Sequence, residues 1–437
     1  MTTSRFAACL IVGVVAVATG DRATEATSSE ADAVVLDAAG RSNANVSLAA
    51  LDAFVAAAWS ATEPGGVTDI FTAVSRDGGR TFSPPARANS TPGDARVNGE
   101  QPPRIALVPR ATGTPSMTVV WTSKSVIGNT LLSARSDDGG RTFSPSTLVP
   151  HGEAVGNRGW QSVTVDARNQ VRVLWLDHRE LAQAKADQGV KHERHVGHDA
   201  TGGSKRDSVA MAERSKLYIA TIGDTASARM LLGGVCYCCK TALATAPDGT
   251  IYSAWRHVYP GNLRDIAFAA SRDGGRTFDR PVRVSEDQWA LDGCPDDGPA
   301  MALDASGGVH LAWPTLVTDG ADDKPSIGIF YAHSPDGRVF GERRRLPAEG
   351  VPHHPQIARS GSDLYVAWDE SKGGSRQVVV ARSVGRSPSA SFARTVISAG
   401  VPGVYPSMVA TDHGVVVAWT STVPSAPVVR VVRLPAR

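Results

Sequence analysis

Three stretches decide the architecture: SRDGGRTF at residues 75–82, SDDGGRTF at 136–143 and SRDGGRTF again at 271–278. A shortened copy, SPDGRVF, stands at 334–340. In each, an Asp can accept bonds from nearby backbone N–H groups, the Gly residues admit positive φ, and the Phe can bury itself. Each reads as a tight turn joining two strands. Working outward, an apolar strand ending in Trp recurs along the chain: FVAAAW to Trp59, MTVVW to Trp121, VRVLW to Trp175, IYSAW to Trp255, VHLAW to Trp313, LYVAW to Trp368 and VVVAW to Trp419. Before several of these runs a short strand opens on Pro, as in PRIAL at 103, PAMAL at 299, PQIA at 355 and PSMVA at 406. Pro is tolerated at the first residue of a strand. After the turn comes another strand, such as PVRVS at 281–285. Four antiparallel strands repeated along a chain predict the blades of an all-β propeller.

Seven Trp strands predict seven blades. The last unit shows three strands of its own, and AVVLDA at 33–38 precedes the first unit. That segment is expected to supply the missing fourth strand and close the ring, which removes two open sheet edges. Composition agrees with many short strands. Of 437 residues, 43 are Gly and 27 are Pro, and 42% are hydrophobic, enough for a packed core. Lys plus Arg number 45 against 43 for Asp plus Glu, a net charge of +2. So even a balance argues against nucleic acid as the main partner.

The turns resemble the Asp-box, or BNR repeat, of the sialidase superfamily, whose pattern is S-x-D-x-G-x-T-[WF]. The resemblance covers residues 33–437. It implies that the turns join third and fourth strands on the face opposite the active site, so Asp77, Asp138 and Asp273 are scaffold. It also offers six blades, the sialidase number, as the alternative to seven.

The N-terminus reads as a signal peptide over residues 1–18. Arg5 supplies the positive charge, Phe6 to Ala18 the apolar run, and Ala16-Val17-Ala18 the small-x-small cleavage site. Residues 19–32 read as a disordered polar lead. The expected destination is secreted or periplasmic, with no membrane span once the signal is removed. A long polar insertion is expected around 178–212. Its His192, His195 and His198 fit a solvated surface loop or a metal-gathering segment.

Up-and-down strand order puts the entry to each first strand and the exit of each Trp strand on one face, near the axis. That set includes Glu100, Gln101, Arg104, Arg158, Trp160, Asp177, Lys240, Arg256, His257, Asp297, His353, His354, Asp369, Glu370 and Tyr405. It also holds every cysteine left after signal removal: Cys236, Cys238, Cys239 and Cys294. In an oxidising compartment these suit disulfides, with Cys236–Cys239 plus Cys238–Cys294 the unstrained pairing. Alternatively they suit a copper or zinc cage completed by His257, His353 or His354, or a redox-active disulfide.

The sialidase resemblance implies a second chemistry at the same place. An arginine triad would grip the substrate carboxylate, with Arg104, Arg256 and Arg158 as counterparts. Tyr405 would be the nucleophile, Glu370 its partner and Asp177 the acid. Arg104 stands in R-I-A where the family has R-I-P. That departure, the extra blade and the cysteines favour a metal-binding or redox pocket at the axis, with copper first. A sialidase-type glycoside hydrolase and a non-catalytic glycan- or protein-binding scaffold are the alternatives. The expected ligand at the axis is a small molecule, a glycan or a metal.

Overall fold

The computed structural model describes residues 1, 33–187, 205–291, 293, 295–318, 324–384, 391–398, 400–422 and 426–436. The signal and lead over 2–32, the histidines at 192, 195 and 198, and Cys294 lie outside the described residues.

Seven four-stranded antiparallel sheets form a propeller. Blade one is Ser42–Leu51, Phe54–Thr62, Thr68–Ser75 and Ala86–Arg87; blade two is Arg104–Val108, Ser116–Ser125, Gly128–Ser136 and Thr147–Leu148. Blade three is Arg158–Val165, Val171–Asp177, Lys216–Thr221 and Arg229–Gly233, with helices Arg179–Asp187 and Lys205–Arg214 between its second and third strands. Blade four is Ala242–Thr245, Ile251–Arg256, Ile266–Ser271 and Val282–Arg283; blade five is Ala300–Leu303, Val309–Val317, Ser326–Ser334 and Arg344–Arg345. Blade six is Val351–Ser360, Asp363–Lys372, Ser375–Val384 and Ser391–Val396. Blade seven is Gly403–Thr411, Gly414–Ser421 and Val428–Pro435, and Val34–Leu36 pairs with its last strand, Val34 opposite Val431. Among the described residues no helix is long and apolar enough to cross a membrane.

The repeated Trp has one packing role. Each lies on the second strand of its blade, is buried, and wedges against the preceding blade. Trp59 packs with Val416 and Val431 of blade seven, and Trp121 with Ala56 and Val74 of blade one. Trp313 packs with Phe268 of blade four, and Trp419 with Val378 and Val380 of blade six. The core is therefore a ring of interfaces between blades, one indole in each, and truncating such a side chain costs about 3–5 kcal/mol.

The SRDGGRTF-type turns close on themselves. Asp77 Oδ1 accepts Ser75 Oγ at 2.7 Å and the N–H groups of Arg80 and Thr81 at 2.9 Å, and Oδ2 accepts Thr81 Oγ1 at 2.6 Å. Asp138 and Asp273 repeat the pattern. With their hydrogen-bonding capacity used inside the turn, these carboxylates act on the scaffold.

Candidate functional site

The site lies at the end of the axis away from those turns, and a recurrent irregularity builds it. In blades one, three, six and seven the first strand carries two residues opposite a single partner: 45–46, 160–161, 354–355 and 405–406 face Trp59, Trp175, Trp368 and Trp419. The leading residue of each bulge is left-handed: Asn45 (φ 60), Trp160 (φ 53), His354 (φ 55) and Tyr405 (φ 53). For non-glycine residues that conformation costs on the order of 1–3 kcal/mol and re-aims the side chain.

His354 and Tyr405, thus placed on neighbouring blades, meet with ring centroids 4.1 Å apart. Gly99 makes the approach feasible, because a Cβ there would sit 2.2 Å from the Tyr405 ring. The His354 Nε2 lies 2.8 Å from Glu100 Oε1, and its Nδ1 lies 2.6 Å from Asp369 Oδ1. The His354 N–H also donates to Asp297 Oδ2 at 2.7 Å, and the Tyr405 N–H to Asp369 Oδ1 at 3.1 Å. Glu100, His354 and Asp369 therefore form a buried ion chain bound from blades two and six.

Burial opposes charge on the His354 imidazole, but the Asp369 charge and the hydrogen bonds that the ring donates to both carboxylates outweigh it and raise the pKa to about 10. Burial raises the Glu100 carboxyl, and with the Glu100 and Asp369 charges it raises the Tyr405 phenol to about 12. His353 differs. Burial pushes it below its ordinary value, and its ring is 5.5 Å from that of His354. At neutral pH His353 is a proton acceptor, His354 a fixed cation and Tyr405 a proton donor.

Below the mouth the axis encloses a cavity of about 230 Å³, to which all seven blades contribute, with Arg104 and Lys240 in its wall. Lys240 Nζ donates to Pro355 O at 3.2 Å and lies 3.7 Å from Asp297 Oδ1. Arg104 Nε donates to Gln161 O at 3.0 Å, and burial lowers its pKa to about 10, so it stays charged at neutral pH.

The other residues expected for a sialidase-type site do not gather here. Arg256 donates to the main-chain carbonyls of Asp297, Arg264 and Pro314, and Arg158 donates to Gly156 O and pairs with the Asp177 carboxylate at 3.2 Å, so among the described residues Arg104 has no arginine partner at the cavity. Asp177 accepts the Trp175 indole at 3.1 Å and two arginines, and its pKa is lowered despite burial, mainly by Arg179. Glu370 stands in the equivalent place, accepting the Trp368 indole at 3.0 Å and Gln377 at 2.8 Å, and pairing with Arg394. Both carboxylates pin a Trp wedge. The carboxylates beside Tyr405 are Glu100 and Asp369. The sequence shows both, but it cannot show that one imidazole bridges them.

The sulfurs form a buried cluster at the axis, beside Trp160, Tyr237 and Val258. The Cys236, Cys238 and Cys239 sulfurs lie within 4.8 Å of one another, and no described histidine nitrogen shares that distance with all three. His257 instead lies beside the Trp255 indole at 3.5 Å and the Tyr259 ring, and burial lowers its pKa to about 4. Cys238 is disulfide-bonded, while Cys236 and Cys239 are free. Cys239 Sγ donates to Cys236 Sγ at 3.3 Å, and Arg264 Nη1 donates to the same sulfur at 3.2 Å. Burial alone would raise the Cys236 thiol, but Cys239, Arg264 and Arg256 bring it to about 6, and Cys239 is pushed up in return. Arg264, with no signal of its own in the sequence, is the residue missed here.

No protein-family model and no curated protein matches the chain. Solved structures do. A polysaccharide lyase, an ulvan lyase bound to -[GlcA(1-4)Rha3S]-, has a TM-score of 0.56 at 10% identity, over 91% of this chain and 94% of that one. The polysaccharide lyase Uly1 has a TM-score of 0.51 at 10% identity, over 90% of each. A Hadza microbial sialidase has a TM-score of 0.45 at 12% identity, over 84% of this chain and 73% of that one. At such identities the likeness shows the fold: this chain is a seven-bladed propeller of a kind that glycan enzymes also use.

Proposed function

We propose that this is an exported enzyme that cleaves an anionic, uronate-bearing polysaccharide by β-elimination at the axial mouth. One observation carries the reading: a neutral imidazole, His353, and a proton-holding phenol, Tyr405, lie with ring centroids 5.5 Å and 4.1 Å from that of His354, near a cavity walled by Arg104 and Lys240. Arg104 and Lys240 take the uronate carboxylate and neutralise the charge that develops when the α-proton leaves. His353 accepts that proton. The electron pair forms the new carbon–carbon double bond, the β carbon–oxygen bond breaks, and Tyr405 gives its proton to the departing oxygen. Glu100 and Asp369 hold His354 charged and in place beneath Tyr405, a positioning role. Two groups whose surroundings push their pKa values apart make an acid/base pair. The ulvan lyase that shares the fold is bound to a glucuronate-bearing glycan, which accords with this class.

The test is incubation of the mature chain with uronate polysaccharides, followed by ultraviolet absorbance for unsaturated uronate ends. Turnover that is lost in Tyr405→Phe supports the reading. New reducing ends without unsaturation would replace it with hydrolysis. A second reading rests on the sulfurs, with copper or zinc bound by Cys236 and Cys239 beneath Arg264. Elemental analysis of natively purified protein, with Cys236→Ser as control, decides it: copper or zinc that disappears in the variant supports it, and metal-free protein ends it.

A further inference from the structure

On the face opposite the mouth, blade five holds a second cluster that the reaction does not use. Asp304 closes the turn after the first strand. His310 and His333 are direct cross-strand partners on the second and third strands. Asp304 Oδ2 lies 3.7 Å from His310 Nε2 and 3.9 Å from His333 Nε2, and all three atoms lie within 4.8 Å of one another.

These separations are too long for hydrogen bonds. Both Nε2 atoms are buried without a hydrogen-bond partner, and His310 as a whole is 9% exposed. An unpaired buried nitrogen is costly, and here two lie near the same carboxylate oxygen.

The remaining atoms are held as ligands require. Asp304 Oδ1 accepts Ser306 N–H at 2.9 Å, Ser306 Oγ at 2.6 Å and Gly308 N–H at 2.8 Å, which leaves Oδ2 to face the imidazoles. His310 Nδ1 is 2.9 Å from Tyr331 Oη, so a proton on Nδ1 leaves Nε2 as the acceptor. Gly308 keeps the space open: a Cβ there would lie 2.5 Å from Asp304 Oδ2 and 3.1 Å from His333 Nε2. Blade three gives the contrast. At the same spacing, Asp166 Oδ2 accepts Arg172 Nε at 2.8 Å, and that turn is closed by an ion pair.

We propose that Asp304, His310 and His333 bind a divalent transition metal of the zinc type, leaving a fourth position open. Two imidazoles and one carboxylate are a zinc ligand set, and three protein ligands leave room for water.

The experiment is calorimetric titration of the metal-stripped mature chain with zinc chloride, then cobalt chloride with visible spectroscopy. It is run on the wild type, His333→Gln, Tyr331→Phe and the Cys236→Ser/Cys239→Ser double variant, each checked for an unchanged melting transition. The expected result is one equivalent bound, with a cobalt spectrum free of thiolate bands. Affinity should fall more than about 100-fold in His333→Gln and about 10-fold in Tyr331→Phe, and be kept in the cysteine variant. No zinc binding, equal binding in folded His333→Gln, or loss only in the cysteine variant would overturn the proposal.

Discussion

The two faces of this ring use carboxylates in opposite ways. On the turn face, Asp77, Asp138 and Asp273 are each satisfied within a few residues of chain, by Ser and Thr hydroxyls and local N–H groups. At the mouth, Glu100, Asp297 and Asp369 belong to blade two, the segment before blade five, and blade six, and they converge on one residue, His354, two at its imidazole and Asp297 at its main-chain N–H. Local satisfaction makes a part that can be repeated; satisfaction across blades makes a place that occurs once. Chemistry collects where the repeat is broken.

The comparison breaks first at the ion chain. Asp369→Asn removes the charge that holds His354 protonated in a buried site, and losing one partner of such a pair costs about 3–5 kcal/mol. Urea unfolding should show that loss, and a change under about 1 kcal/mol would mean that the chain is not coupled. Next comes turnover. Tyr405→Phe and His353→Ala should each lower kcat at least about 100-fold with the melting transition kept, whereas Asp77→Ala should leave kcat unchanged. Equal losses at both faces would erase the distinction.

pH sharpens it further. The folded His354 pKa of about 10 lies above its ordinary 6.5, so its contribution to stability is full below 6.5 and is lost as pH rises through about 10. Melting temperature should therefore fall across that window, and His354→Gln should flatten the fall; a wild-type profile already flat between those values would contradict the assignment. Smallest is the turn face itself, where Asp138→Ala should cost about 1 kcal/mol by chemical denaturation, as for a few solvent-facing hydrogen bonds.

The cysteines show what can be read early and what cannot. Their spacing placed Cys236, Cys238 and Cys239 at one spot, and the structure brings their sulfurs together. The sequence could not say that Arg264 lies against Cys236, because that contact depends on blade four folding back across its own strand pair. Asp177 looked like the acid, and Glu370 like the partner of a Tyr405 nucleophile, because each follows a Trp strand. Their position two residues after the Trp instead makes them acceptors for its indole.

By itself, the sequence determined the architecture. Turn and strand signals are local, the Trp recurs once per blade, and the same short-range physics acts in every copy. Only the tertiary structure decided which of the many polar residues near the axis touch. That depends on where a bulge opposes a Trp and on which blades face each other across a cavity of about 230 Å³. The left-handed turns at His354 and Tyr405 leave no signature that distinguishes them from ordinary strand residues, because what holds them is the opposing strand and the neighbouring blade.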